Sequence, residues 1–196
     1  MLPRDEPPPT ADLPTPGSST LVEVKEGEPE YEEATGTFVR TFHGTPIIER
    51  VFRVGNPTLS DMFELCRARM RRAMKPTDEK IMFHGSDRSA LGSIVRSGFD
   101  IRYTGKNAEA LGPGIYLAEQ ASYSHGFAVE DYGGNLCMVV ARVLAGRRPE
   151  TGEKAAKRGA RQREGAGFYD SNFGGNILAI RREQQAPPAY VIYYRV

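Results

Sequence analysis

The side chains able to do chemistry are few. The chain holds three histidines (His43, His84, His125) and two cysteines, Cys66 and Cys137, far apart in sequence. Distant cysteines support neither a disulfide framework nor a C-x-x-C metal site, and so few histidines leave little room for a metal centre. No metal is therefore expected. The informative constellation is His84-Gly85-Ser86, then Gly114-Ile115-Tyr116, then Ser122-Tyr123-Ser124, then the stretch from Asn176 to Tyr194. Each piece also has an ordinary reading. A lone His-Gly is usually a turn, and His43-Gly44-Thr45 is a second copy that reads as structural. Tyr116 on an apolar strand is ordinarily a core tyrosine. Ser122 and Ser124 are ordinarily loop or cap hydroxyls, and Tyr123, alternating away from Ser124, reads as packing. Gly112-Pro113-Gly114 is no dinucleotide fingerprint, because Leu117 occupies the third glycine position and no βαβ unit surrounds it.

The elements that must position these residues can be read from periodicity. Residues 36–54 suggest two strands around a turn at Gly44–Pro46. Asn56-Pro57 reads as a helix start. Leu59, Met62, Phe63, Cys66, Met70 and Ala73 then follow at steps of three and four, opposite Arg67, Arg69, Arg71 and Arg72. A short strand, Ile81-Met82-Phe83, ends on His84. Residues 87–97 predict a helix closed by Gly98. A polar loop runs from Arg102 to Pro113, a strand from Gly114 to Leu117, and a short helix over Glu119–Phe127. Cys137–Leu144 is a buried strand, and final strands lie around Ile177–Ile180 and Tyr190–Arg195. Strands and helices do not alternate, which favours an α+β fold with mostly antiparallel sheets.

The chain has 196 residues and a formal net charge of +1, enough length for one domain, or one domain with a tail. The charge is split. Residues 1–35 hold nine acidic side chains against two basic ones, and the first 29 residues hold seven of the fourteen prolines. Sparse apolar residues, proline and like charge predict a disordered arm over residues 1–34, with the folded domain over 35–196. The arm's charge is expected to play no part in the fold. Residues 145–168 hold seven basic side chains against three acidic ones and read as a basic loop. No apolar run approaches the ~20 residues of a membrane span. The acidic, Pro-rich N-terminus is neither a secretory signal nor a transit peptide, so an intracellular protein, cytoplasmic or nuclear, with reduced cysteines is expected.

Six blocks in order carry a resemblance. They are I-M-F-H-G-S at 81–86, G-F-D-I-R-Y-T-G-K-N-A at 98–108, G-P-G-I-Y-L-A at 112–118, A-S-Y-S at 121–124, V-A-R-V-L-A-G at 140–146 and Q-Q-A-P-P-A-Y-V-I-Y-Y at 184–194. With V-F-R-V-G-N-P-x-L at 51–59, they resemble the catalytic domain of the poly(ADP-ribose) polymerase-like ADP-ribosyltransferases, the diphtheria-toxin-like class, over roughly residues 35–196. The likeness is nearest to the mono-ADP-ribosylating members. It implies two packed, mostly antiparallel sheets flanked by short helices. It also implies NAD as co-substrate, nicotinamide as leaving group and protein side chains as acceptors, the chain itself among them.

The resemblance assigns roles residue by residue. Gly85 would offer its backbone to the nicotinamide carboxamide, and the missing Cβ would let the ring come close. Ser124 would give the carboxamide a hydroxyl, and Tyr116 and Phe127 would sandwich the ring. The family more often has tyrosine where Phe127 stands. His84 would bond the adenosine ribose hydroxyls as a positioning group, with Ser86 beside it. Loop 102–112 would close over the dinucleotide, and Arg102 would contact adenosine or phosphate.

The third member of the family's triad falls on Ile177, where polymer-forming members have glutamate. An aliphatic side chain accepts no proton and stabilises no positive charge, so single-unit transfer is implied, with the acceptor's own carboxylate assisting. Glu183 lies six positions later and does not replace it. Two other readings stay open here: a catalytically silent module binding NAD or ADP-ribose, and transfer to nucleic-acid ends with basic loop 145–168 as a phosphate contact. The helical autoinhibitory domain of some family members does not fit within residues 1–35, so activation by DNA breaks is not expected.

Overall fold

The computed structural model describes residues 20–103, 111–147 and 170–196. Its strands are β1 (Thr20–Val24), β2 (Ile47–Gly55), β3 (Glu79–Ser86), β4 (Ile115–Ala118), β5 (Leu136–Leu144), β6 (Ser171–Gly174), β7 (Ile177–Ile180) and β8 (Pro188–Arg195). Its helices are α1 (Pro29–Thr41), α2 (Pro57–Arg72), α3 (Arg88–Ser97) and α4 (Ala121–His125), with 3-10 turns at Ile101–Tyr103 and Glu183–Gln185. The expected α+β class and antiparallel pairing are both present. The strands form one sheet in the order β1-β2-β8-β5-β3-β4-β7-β6, not two. A single residue pair, Phe83 with Ala118, links β3 to β4.

The N-terminal part departs most from expectation. Residues 36–41 are helical, not a strand. Tyr31, Ala34, Thr35, Phe38 and Phe42 recur at helical spacing, Pro29 stands in the first turn, and Glu30 and Glu32 favour the helix dipole. The β-branched Thr35, Thr37, Val39 and Thr41 pull the local preference toward strand, but burial of one face decides the outcome. Phe38 is fully buried, which contributes about 1.5–3 kcal/mol. Regular structure also begins earlier than residue 35. β1 pairs antiparallel with β2, Val24 opposite Val51. The acidic charges of this stretch engage the fold: Glu23 takes Arg50 Nε at 2.9 Å, and Glu30 takes Arg53 Nε at 3.0 Å. Of the expected arm, residues 1–19 lie outside the described residues, as do residues 148–168 of the basic loop.

The two faces of the sheet bury separate clusters, as the alternation of side chains along each strand requires. Met82, Val139, Leu117 and Leu178 pack with Leu91, Ile94 and Val95 of α3. Phe83, Met138, Ile192 and Tyr194 pack on the other face with Phe38 of α1 and Ala121 of α4. Phe38 meets Tyr194 edge-on at 5.1 Å. Asn56 caps α2 through Leu59 N–H at 3.1 Å, and its amide donates to the carbonyls of Val95 and Arg96 at 3.0 and 2.9 Å. One residue thus starts α2 and fixes the end of α3. Among the described residues, no helix is long and apolar enough to cross a membrane.

Candidate active site

β3 has different neighbours on its two sides. Along β5 it pairs throughout, from Glu79–Leu144 to Ser86–Cys137. Along β4 it pairs only at Phe83, because β4 is drawn to β7, with Ile115 opposite Ile180 and Ala118 opposite Ile177. Beyond Phe83, residues 84–86 have no strand partner on that side among the described residues. The gap opens into a cleft of about 480 Å³ between β3, α3 and the start of β4. His84, Ser86 and Tyr116 line it, together with Ser89, Ser93, Phe99, Asp100 and Tyr103.

His84 spans the gap. Its Nδ1 lies 3.0 Å from the Tyr116 carbonyl oxygen, and its ring stands edge-on to Phe99 at 5.0 Å. A carbonyl oxygen can only accept, so Nδ1 carries the proton. Burial pushes the imidazole below its ordinary pKa, and the bond to Tyr116 opposes this only in part. The neutral ring therefore leaves Nε2 as an acceptor, suited to a ligand hydroxyl. This is the chemistry of a positioning group.

Gly85 is a glycine for a different reason than expected. A Cβ there would lie 1.9 Å from the Ser124 carbonyl oxygen and 2.9 Å from Ala128 N. Helix α4 crosses directly over it, so the missing side chain is required by the protein's own backbone. That close crossing also places Ser124. Its buried hydroxyl donates to the Phe83 carbonyl at 2.8 Å. With the proton committed, its remaining capacity is as an acceptor, which a carboxamide N–H can satisfy.

The Tyr116 hydroxyl is engaged rather than free. It accepts from Leu111 N–H at 2.9 Å and donates to the Gly112 carbonyl at 2.8 Å. Burial raises its pKa, so the phenol stays protonated. The phenol pins the loop entering β4, and the ring is what remains to meet a ligand. Phe127 is 51% exposed and tilts against Tyr123 at 5.5 Å. Among the described residues no ring contact joins Phe127 to Tyr116. Tyr123, read from the sequence as packing, is 42% exposed and belongs to this aromatic wall.

Ile177 opens β7, half-buried, opposite Ala118 on one side and Gly174 on the other. Phe83, Ala118 and Ile177 thus form one row across β3, β4 and β7, one residue from His84. Ser86 is buried, with its hydroxyl 3.2 Å from the Asp87 carbonyl. Arg102 departs from expectation. Its side chain is 85% exposed and forks onto Asp100, with Nη2–Oδ2 at 2.6 Å, and it does not line the cleft. A carboxylate two residues away competes successfully for the guanidinium. Residues 104–110 of the expected closing loop lie outside the described residues. Glu183 accepts from Ile101 N–H at 3.1 Å and so braces the 3-10 turn rather than serving the cleft. His43 is exposed in the turn after α1, away from the cleft.

Sequence reasoning missed Ser89, Ser93, Phe99, Asp100 and Tyr103. The serines sit four apart on α3, so helical spacing would have placed both hydroxyls on one face. Nothing in the sequence marked Phe99 as the partner of His84. Among the described residues, no group of three or more histidine, cysteine, aspartate or glutamate side chains could hold a metal ion.

Residues 28–193 match the poly(ADP-ribose) polymerase catalytic domain. The chain is 29% identical over 188 residues to human protein mono-ADP-ribosyltransferase PARP12, covering 93% of this chain and 26% of that protein. It is 33% identical over 129 residues to human protein mono-ADP-ribosyltransferase PARP14, covering 64% of this chain and 7% of that protein. It is 28% identical over 184 residues to a probable poly [ADP-ribose] polymerase of Dictyostelium discoideum, covering 89% of this chain and 52% of that protein. The chain thus spans about a quarter of the length of the PARP12 relative. A match over most of its length shows that the chain belongs to the poly(ADP-ribose) polymerase catalytic-domain family.

Proposed function

We propose that this chain transfers one ADP-ribose unit from NAD to a protein side chain and releases nicotinamide. The observation that carries the reading is the opening between β3 and β4, lined by His84 and Tyr116, with Ser124 bonded to β3 at Phe83 and aliphatic Ile177 in the adjoining row. NAD supplies an electrophilic ribose carbon whose bond to nicotinamide breaks with oxocarbenium character.

The chain's residues divide the work. The Gly85 backbone, the Ser124 oxygen and the Tyr116 and Phe127 rings hold the nicotinamide. The Nε2 of His84 accepts from an adenosine ribose hydroxyl, with Ser86 alongside. This set is uncharged, which suits a leaving group that departs neutral. Ile177 offers no carboxylate to activate the hydroxyl of a growing chain, so elongation has no base and transfer stops at one unit. The acceptor's own carboxylate completes the attack. The names of the two human relatives above, protein mono-ADP-ribosyltransferases, favour the same outcome. The two free, buried cysteines, Cys66 and Cys137, suit a reducing compartment, cytoplasm or nucleus.

The test is nicotinamide release from NAD carrying label on that ring. Wild type is expected to release it, and Tyr116→Ala is expected to abolish release, because both the ring and the loop pin are lost. NAD binding with no release above background in wild type would overturn the reading in favour of a silent module.

A further inference from the structure

We propose that Thr41, at the end of α1, is a positioning residue for the nicotinamide-binding wall, acting as an external N-cap for α4. The proposal rests on the reading of the cleft as an NAD site. Helix α4 has five residues, too few to persist alone. Its own N-cap, Gln120, makes no side-chain cap bond. The Gln120 amide oxygen instead accepts from Asn176 Nδ2 at 2.7 Å. The first helical N–H, that of Ala121, donates to Thr41 Oγ1 at 3.0 Å. Thr41 Oγ1 in turn donates to the Thr37 carbonyl at 2.8 Å, so the hydroxyl joins the last turn of α1 to the first of α4.

The neighbouring residues repeat the tie. Ser122 Oγ donates to the Thr41 carbonyl at 3.2 Å and accepts from His43 N–H. At the far end of α4, His125 Nδ1 lies 2.9 Å from Tyr194 Oη, with the Phe42 ring edge-on at 5.1 Å. Between these anchors sits Ser124, and Phe127 follows two residues after the helix ends. The wall facing the Gly85 side of the gap is thus held from behind by an element that does not line the cleft. Its place over Gly85 is tight: Ser124 O and Ala128 N already fill the space where a Cβ would go. Loss of the cap would let the whole wall drift from the ring it must hold, because a helix this short has no internal bonds to spare.

Two variants and two readouts test this. Thr41→Val keeps the shape, removes the hydroxyl and orphans Ala121 N–H; Thr41→Ser keeps the hydroxyl. The expected result for Thr41→Val is a KM for NAD raised about tenfold with kcat within about twofold, the pattern of lost ground-state binding. Amide exchange over residues 121–128 should quicken about tenfold while β5 stays protected. Thr41→Ser should restore both. Wild-type exchange over 121–128 in Thr41→Val, equal impairment in Thr41→Ser, or exchange rising uniformly through the sheet would each overturn the proposal. Should wild type itself release no nicotinamide, the exchange data still decide the cap, and the functional reading fails separately.

Discussion

The two flanks of β3 use one strand for opposite purposes. On the β5 side every residue from Glu79 to Ser86 has a partner. Met82, Phe83, Met138 and Val139 there are fully buried. On the β4 side pairing stops after Phe83–Ala118, and the freed length carries His84 and Ser86 into the cleft. The closed flank supplies rigidity, and the proposed function gives the open flank the task of recognition. A ligand site on a strand need not lie on a mobile loop if one ladder is left unfinished and the other is complete. The comparison predicts that substitutions on the closed flank change stability and leave ligand affinity alone, whereas those on the open flank do the reverse or both.

The largest expected effect is on the closed flank. Met138→Ala should cost about 2–5 kcal/mol of stability through the cavity it leaves. Its KM for NAD should stay near wild type at temperatures where the variant is folded. Denaturant titration and steady-state kinetics measure the two, and a raised KM at full folding would break the separation. Gly85→Ala comes next. The added methyl meets backbone on α4, which cannot rotate away, so about 1–3 kcal/mol or more of stability should go together with NAD binding. Calorimetric titration with NAD is the check, and unchanged affinity would show that α4 does not need to sit where it does.

Tyr116→Phe is a smaller change. It keeps the ring and leaves Leu111 N–H and the Gly112 carbonyl without their partner, a cost of about 1–3 kcal/mol. The loop before β4 should loosen, visible as faster amide exchange at residues 111–114, with kcat/KM reduced but not lost. Wild-type exchange there would remove the pin from the account. The smallest effect is a pH dependence. His84 has its pKa lowered by burial, so the unfolded chain binds the proton more readily than the fold does. Its contribution is therefore complete above the ordinary histidine value near 6.5 and is lost as pH falls from there through the folded value. His84→Gln should flatten that part of the stability profile. A slope that survives the substitution belongs to another group.

The parts of this arrangement that were legible in the sequence share a physical cause. α2 was marked by Asn56-Pro57 and by steps of three and four. β5 was marked by an apolar run interrupted only at Arg142, because a central strand is buried on both faces. The His84 to Ser124 blocks stood out because short-range motifs survive as short strings. Long-range decisions were not legible. α1 was hidden by β-branched threonines whose local preference is outweighed by packing of Ala34 and Phe38. β6 was not read as a strand because its buried residues are polar. Ser171 Oγ donates to the Ala145 carbonyl and Asn172 Nδ2 to the Leu111 carbonyl, both at 2.7 Å, which offsets the cost of burying those two donors. The single contact that turns two half-sheets into one, Phe83 with Ala118, leaves no mark on either segment alone. The same holds for Arg102, whose direction is set by Asp100, and for Gly85, whose reason lies in the passage of α4.

The central claim is that an unfinished ladder presents NAD to an acceptor beside an aliphatic residue, and that transfer ends after one unit. The most direct measurement is intact-mass analysis of the protein and its acceptor after incubation with NAD, with fragmentation to locate each adduct. The account predicts that every modified side chain carries a single ADP-ribose. A second unit attached to the first on any side chain would contradict it.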